Sequence, residues 1–305
     1  MKSVFEGTVG GRRHIGVADS ATGKLHIALE QSAGEVGLLG FLLATDDPVE
    51  KLSCSTTLTL VEKKDVAPLP YAPLSDSALV QRSFVTGFAR SHKSKARNIT
   101  SASGDCLPPP MFIKGDENCL QPTDHDILMP KSFIHLCEEA EIVLIYWIGP
   151  DREPKYVGYT FGNDVTDIGR VKEDFAQIGY AKLCPGGIEN RIWLGRPPSK
   201  IEGSTAIERS GVVIWEGTVR FGLDDLAYNA DDLLAELWNW PNLRVERSLH
   251  YIFLGADRSS NEYGHSLRPG DISIINIPSY GVQIRNKLVA SMEGSGDVDP
   301  TPILR

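Results

Sequence analysis

The sequence has little of several features that mark whole classes of protein. Its five cysteines are an odd number without Cys-x-x-Cys spacing, which fits reduced cytosolic thiols better than a disulfide framework. It has no apolar run of the roughly 20 residues that span a membrane, and its first residues lack the apolar segment of a signal peptide. Positive charge is also in deficit, because 31 Lys and Arg stand against 40 Asp and Glu. Nucleic acids and anionic membranes bind basic surfaces, so we expect neither as a partner.

Internal repeats and long low-complexity tracts are absent as well, which leaves a soluble, acidic, cytoplasmic globular protein as the expectation. A chain of 305 residues can bury one substantial core and a small second unit. A proline-rich stretch at residues 67–75 predicts the boundary. Residues 1–75 are then a small N-terminal domain with its linker, residues 76–292 the main domain, and residues 293–305 a flexible tail rich in Gly, Asp and Pro.

The most informative stretch is residues 137–170, where acidic side chains flank a strand. Residues 142–148 form an apolar run that predicts a buried strand, and residues 156–161 predict a second strand after a turn. Side chains alternate along a strand, so Glu139 and Glu141 point one way and Glu138 the other. If the two strands pair as a hairpin, Asp164 lies near the glutamate pair. Three converging carboxylates repel one another unless a cation lies between them, and all-oxygen ligation suits Mg²⁺, Mn²⁺ or Ca²⁺ better than zinc.

The alternative for these carboxylates is ordinary solvation. Acidic residues at strand ends are commonly exposed to water, and short spacing patterns arise often without a metal. Spacing alone therefore leaves both interpretations open.

Most other elements of the main domain also follow strand patterns. Residues 212–221, 249–256, 272–277 and 282–284 are predicted strands, and the helix with the clearest apolar spacing covers residues 223–240. The sequence therefore predicts a mostly β (α+β) chain.

Residues 90–97 form a basic segment on an otherwise acidic protein. One interpretation is a mobile, solvated loop, which is the common role of such charge runs. The other is a lid over an anionic substrate, in which Arg90 binds the substrate and His92 is the working residue.

The central stretch resembles the core signature of the fumarylacetoacetate hydrolase superfamily. The residues that carry the resemblance are Glu139, Glu141, Gly158, Tyr159, Thr160, Asn163, Asp164, Val165 and Thr166. The resemblance implies that Glu139, Glu141 and Asp164 hold Mg²⁺ or Mn²⁺, which chelates a small anionic 2-oxo acid. It also implies a mixed β-roll as the catalytic domain, preceded by a small N-terminal domain, and a homodimer.

Further positions follow the same pattern less closely. The resemblance places Lys182 near the substrate and matches Gly255 to the glycine of a Thr-Gly-Thr segment. Lys114, in a Phe-x-Lys strand that is also a family feature, either binds the substrate or forms a structural ion pair with the carboxylate cluster. The family's lid carries a His and a Glu that activate water; here Lys95 stands three residues after His92, where the glutamate belongs.

The fit is closest to the sugar-acid branch of the superfamily, such as 2-keto-3-deoxypentonate dehydratases. We therefore expect dehydration of a 2-keto-3-deoxy sugar acid, with His92 and Lys182 as acid and base in either order. The alternative is a C–C hydrolase of 2,4-diketo acids, which needs the His-Glu pair. A third interpretation is a non-catalytic binding protein on the same scaffold, supported by the missing Thr-Gly-Thr residues.

Overall fold

The computed structural model of the chain describes residues 2–19, 24–31, 37–53, 59–61, 65–96 and 107–291. Strands are the most frequent regular structure among these residues, so the predicted mostly β (α+β) fold is confirmed. The strands are β1 Lys2–Val9, β2 Arg12–Asp19, β3 Lys24–Gln31, β4 Thr59–Val61, β5 Ala67–Pro68, β6 Arg82–Phe88, β7 Met111–Gly115, β8 Leu120–Pro122, β9 Ile127–Met129, β10 Leu136–Cys137, β11 Ala140–Ile148, β12 Pro154–Asn163, β13 Thr166–Asp167, β14 Gly186–Ile188, β15 Ile201–Arg209, β16 Val212–Phe221, β17 Ser248–Phe253, β18 Ile272–Ile277 and β19 Val282–Ala290. The α-helices are α1 Gly37–Leu43, α2 Pro48–Ser53, α3 Ile168–Glu173, α4 Ile178–Ala181 and α5 Ala230–Trp238.

The described strands form three larger sheets and a two-stranded pair. The first sheet has the order β4-β3-β2-β1-β5, and the central seven-stranded sheet has the order β7-β6-β17-β11-β12-β14-β8. A further five-stranded sheet has the order β16-β15-β18-β19-β9, and β10 pairs with β13. No helix among the described residues is long and apolar enough to cross a membrane.

Strand β11 is apolar from residue 142 to residue 148 because both of its faces are covered there. Ile142 and Leu144 face a core that contains Phe161, Trp193 and Phe221. Val143 and Ile145 face a second core shared with β1, β2 and helix α1. A strand buried on one face would alternate apolar and polar residues, and this one does not. The central sheet therefore holds β11 and its hairpin partner β12 rigidly.

The first sheet packs against the central one and is joined to it by backbone bonds. The amides of Val4 and Ile192 each donate to the other's carbonyl, at 2.9 and 2.8 Å. The domain boundary between residues 75 and 76 stays a prediction, and the tail at residues 293–305 lies outside the described residues.

The predicted helix over residues 223–240 is shorter than expected. Residues Leu223–Asp225 form a 3-10 turn, and helix α5 begins only at Ala230. The Asn229 side chain caps α5 by accepting from the amide of Asp231. Leu226 between the two is extended and buried. Apolar spacing marks which side chains are buried, and it does not separate one continuous helix from two short turns on the same core.

A buried histidine lies beside α5. His250 is fully buried, with its ring stacked on Phe84 and edge-on to Trp238, and its Nε2 lies 3.1 Å from Ser248 Oγ. Burial lowers the pKa of His250 from 6.5 to about 4. Between these two values the unfolded chain binds a proton here more readily than the folded protein. The stability that comes from neutral His250 is therefore present above pH 6.5 and is lost as pH falls towards 4.

We expect His250→Phe to flatten this acid sensitivity. Between pH 7 and pH 5 the wild type should lose about 2 kcal/mol more unfolding free energy than the variant, given the size of the shift. Urea unfolding at the two pH values measures the difference, and His135→Phe at an exposed histidine is the control for the substitution. Parallel pH dependence in wild type and His250→Phe would contradict the assignment.

Candidate metal centre and pocket

The ends of β11 and β12 bring three carboxylates together. Glu141 lies opposite Gly162 in the hairpin, and the amide of Asp164 donates to the carbonyl of Glu139 at 2.8 Å. Glu139, Glu141 and Asp164 are all buried and offer ligand oxygens within 4.8 Å of one another. The alternation of side chains and the hairpin register together produce this convergence.

Neighbouring groups fix the orientation of the two glutamates. The Asn163 side chain accepts from the amide of Glu139 at 3.0 Å, and the Thr166 hydroxyl donates to Glu139 Oε2 at 2.9 Å. The amide of Gly255 donates to Glu141 Oε2 at 2.6 Å. Gly255 has φ +120°, and a Cβ there would lie 2.0 Å from Ser91 Oγ, so a side chain at this position would displace the amide from Glu141.

Three lysines surround the carboxylates. Lys182 Nζ lies 2.6 Å from Glu139 Oε2 and also bonds Asp164, while Lys95 Nζ lies 2.7 Å from Glu139 Oε1. Lys114 Nζ approaches from the protein interior and lies 2.7 Å from Asp164 Oδ1 and 2.8 Å from the carbonyl of Val165. Three negative and three positive groups therefore share one largely buried cluster.

The cluster shifts the proton affinities of its members in opposite directions. Burial alone would raise the pKa of Glu139, but attraction to Lys182 and Lys95 outweighs it and lowers that pKa. Burial and the nearby Asp164 carboxylate raise the pKa of Glu141 well above its usual range. Burial alone would lower the pKa of Lys182, but attraction to Asp164, Glu139 and Glu141 raises it. Lys182 is therefore an ammonium at neutral pH, and in that state it cannot accept a proton.

The donor set fits a hard divalent cation. Three carboxylates offer only oxygen atoms as ligands, which Mg²⁺ and Mn²⁺ prefer. Hydrogen bonds to Asn163, Thr166 and Gly255 hold the two glutamates in place. Burial first and the Asp164 carboxylate second raise the pKa of Glu141, and a cation between the carboxylates would favour the ionised form against both effects.

A pocket of about 740 Å³ opens over this cluster. Among the described residues that line it are Arg90, Ser94, Lys95, Glu139, Glu141 and Lys182. Arg90 has φ +58°, and its guanidinium lies 3.5 Å from the centre of the Phe175 ring on the opposite wall. Lys114 and Gly255, which were predicted as substrate-binding residues, are not among the described residues that line this pocket. Lys114 bonds Asp164, and the amide of Gly255 bonds Glu141.

His92 is not brought into contact with the three carboxylates. Its Nε2 lies 2.9 Å from the carbonyl of Arg220, which only accepts, so Nε2 carries the proton. Its Nδ1 accepts from the amide of Ser94 at 3.1 Å and lies 2.7 Å from the Ser94 hydroxyl. Burial lowers the pKa of His92, although Asp257, whose carboxylate is 3.8 Å from Nδ1, opposes this. The ring faces a second pocket of about 430 Å³, and Ser94 lines both pockets.

The predicted lid is ordered over its described part. The amide of Lys93 donates to the carbonyl of Asp225, and the amide of Ala227 donates to that of Ser91, at 2.9 and 2.8 Å. Residue 97, the end of the predicted segment, lies outside the described residues. Mobility of residues 90–97 stays a prediction.

Sequence patterns missed two residues near the site. Asp257 follows β17, in the polar loop after the segment that replaces Thr-Gly-Thr, and nothing in its local sequence connects it to His92. The sequence marks Lys95 as part of the basic segment and as a departure from the family's glutamate, and no sequence pattern connects it to Glu139.

Comparison with family models and with curated proteins found no match. Solved structures do match across nearly the whole chain. A 2-keto-3-deoxy-D-arabinonate dehydratase in its apo form has a TM-score of 0.65 at 15% identity, over 96% of this chain and 100% of that chain. Such a dehydratase complexed with magnesium and 2,5-dioxopentanoate has a TM-score of 0.64 at 14% identity, over 96% and 100%. A fumarylacetoacetate hydrolase from psychrophilic Exiguobacterium antarcticum has a TM-score of 0.61 at 17% identity, over 95% and 100%. The chain therefore has the fold of the fumarylacetoacetate hydrolase superfamily, as the sequence resemblance predicted.

Proposed function

We propose that this protein is a metal-dependent enzyme that removes water from a 2-keto-3-deoxy sugar acid. The observation that carries the proposal is the convergence of Glu139, Glu141 and Asp164 beside a pocket of about 740 Å³, which the two glutamates line. Mg²⁺ held there would stabilise negative charge that develops on the oxo oxygen of a 2-oxo acid. The similar dehydratase structure that contains magnesium and 2,5-dioxopentanoate supports this choice of ligand class.

The pocket supplies separate groups for the acid and the base. In this proposal Lys182, an ammonium beside the carboxylates, is the acid that protonates the departing hydroxyl. A divalent cation at the carboxylates would weaken their hold on its proton. His92 is the neutral partner, and it reaches the pocket through the Ser94 hydroxyl. Ser94 then takes the proton from carbon 3 while its own proton passes to His92 Nδ1. The proposal thus gives the acid role to Lys182 and the base role to His92, acting through Ser94.

A C–C hydrolase of 2,4-diketo acids is the second candidate. The sequence disfavoured it because Lys95 stands where the orienting glutamate belongs. In the structure a carboxylate from another segment, Asp257, lies 3.8 Å from His92 Nδ1. It can stabilise the imidazolium that forms when water loses a proton. Asp257 would thereby supply the carboxylate that is missing at position 95.

The test is to incubate the purified protein, with Mg²⁺ or with EDTA, with a 3-deoxy-2-oxo sugar acid and with a 2,4-diketo acid, and to follow products by mass spectrometry. Loss of one water from the first, dependent on Mg²⁺, is the expected result. Cleavage of the second into two shorter acids would establish the hydrolase instead. Binding of Mg²⁺ and an oxo acid without turnover of either would favour the binding protein. The homodimer and the cytoplasmic location stay predictions.

A further inference from the structure

Lys95 forms an ion pair with one of the carboxylates of the candidate metal centre. Its ammonium lies 2.7 Å from Glu139 Oε1, and its side chain is 23% exposed on the pocket wall. Among the described residues its ion pair is with Glu139. The amides of Lys95 and Ala96 both donate to the carbonyl of His92, at 2.9 and 2.8 Å. The side chain therefore extends from a single turn of backbone into the carboxylate cluster.

A metal ion and Lys95 compete for the same carboxylate. Glu139 Oε1 bonds the Lys95 ammonium and Oε2 bonds the Lys182 ammonium. A cation that binds either oxygen is therefore repelled by an ammonium at the same atom. Lys182 is 5% exposed and is also paired with Asp164. Lys95 is more exposed and pairs through one contact. Lys95 is thus the lysine that yields, because less is lost when its ammonium returns towards solvent.

The charge balance determines what the released ammonium meets. Lys95, Lys114 and Lys182 are paired with Glu139 and Asp164, so the ammonium groups are at least as many as the ionised carboxylates. A divalent cation adds further positive charge to this cluster, and the pocket then favours an anion. Lys95 remains tethered to the pocket wall, within reach of a carboxylate that binds over the metal.

We infer that Lys95 exchanges partners, from Glu139 before the metal binds to the carboxylate of an anionic ligand afterwards. The inference rests on the proposed function, because it requires a divalent metal at the three carboxylates. It makes Lys95 a positioning residue with opposite effects on two binding steps. It weakens metal binding by competition and strengthens the binding of the anion that follows.

Calorimetry with Lys95→Met tests the exchange. Mg²⁺ is titrated first, and oxalate, a dianion with the adjacent oxygens of a 2-oxo acid, is titrated in saturating Mg²⁺. Relative to wild type, the affinity of Lys95→Met for Mg²⁺ should rise, and its affinity for oxalate should fall, each by roughly tenfold, the size of one charge-assisted hydrogen bond. Lys93→Met removes an exposed lysine of the same segment, which contacts the Asp224 carbonyl, and should change neither.

A lysine with only a structural role would shift both affinities in the same direction or neither, and either result overturns the inference. Failure of the wild type to bind Mg²⁺ would refute the metal centre itself. It is distinguishable from the two outcomes above, because those are changes in the variant relative to a wild type that binds Mg²⁺. Hydrogen exchange on the wild type serves if Lys95→Met does not fold. Exchange at the amides of Lys95 and Ala96 should quicken with Mg²⁺ and slow again with oxalate. Unchanged exchange would also overturn the inference.

Discussion

Glu139→Gln is expected to lower the affinity for Mg²⁺ by at least about a hundredfold. Substitution of a residue that only hydrogen-bonds to a metal ligand already lowers metal affinity by about 10- to 100-fold. Glutamine keeps the size of the side chain and can still accept from the Thr166 hydroxyl. What it loses is the negative charge and one of the two carboxylate oxygens. Isothermal calorimetry of the variant and the wild type measures the change directly.

Glu138→Gln is the matched control, one residue away on the opposite side of the backbone. Glu138 is fully buried and accepts from the Ser260 amide at 2.7 Å, from the Ser260 hydroxyl at 2.7 Å and from Thr205 at 3.2 Å. Its substitution should lower stability through these bonds while Mg²⁺ affinity stays at the wild-type value. Equal losses of Mg²⁺ affinity in the two variants would contradict the assignment of Glu139 as a ligand.

Lys114→Met should lower the free energy of unfolding by about 3–5 kcal/mol, as is usual when one partner of a buried ion pair is removed. The Lys114 side chain is 0% exposed and its ammonium bonds Asp164 Oδ1, whose side chain is also 0% exposed. Methionine fills the same space but removes the ammonium that bonds the buried Asp164 carboxylate. Urea unfolding in EDTA measures the loss without compensation by a bound metal ion.

Lys155→Met is the control for this substitution. Lys155 and Asp151 form an ion pair of similar length, 2.8 Å, but their side chains are 46% and 48% exposed. Exposed pairs contribute at most about 1 kcal/mol, because water solvates both charges when the pair is broken. A loss in Lys114→Met no larger than in Lys155→Met would show that the Lys114 pair contributes little.

The strands of the main domain could be predicted from sequence because buried positions along a strand are apolar, and these runs and alternations are visible in the sequence. The limits of β16 and β18 agree with the predicted strands over residues 212–221 and 272–277. The helix α5 was predicted too long because its apolar residues continue a stripe begun by a 3-10 turn on the same core. Capping by Asn229 decides where the helix starts, and one polar residue is a weak signal against that stripe.

The carboxylates were predictable because they lie within one hairpin, where alternation and register follow from local sequence. The environment of His92 was not, because Arg220 and Asp257 reach it from two other segments of the chain. Lys182 was identified by its position, but its charge state depends on three neighbours that only the folded chain assembles. Sequence thus predicts which residues meet along a strand, while proton affinities follow from contacts between distant segments.

The parallel pairing of β6 with β17 has a consequence for how the protein reaches this state. Arg82 pairs with Ser248, so this contact closes a loop that contains more than half of the 305 residues. The β11–β12 hairpin needs only a short turn. Closing a long loop costs chain entropy before its contacts form, so folding rates fall as such pairings multiply. We therefore expect the carboxylates to gather early, and the pairing of β6 with β17, which ties the strand before residues 91–96 to the centre of the sheet, to form later.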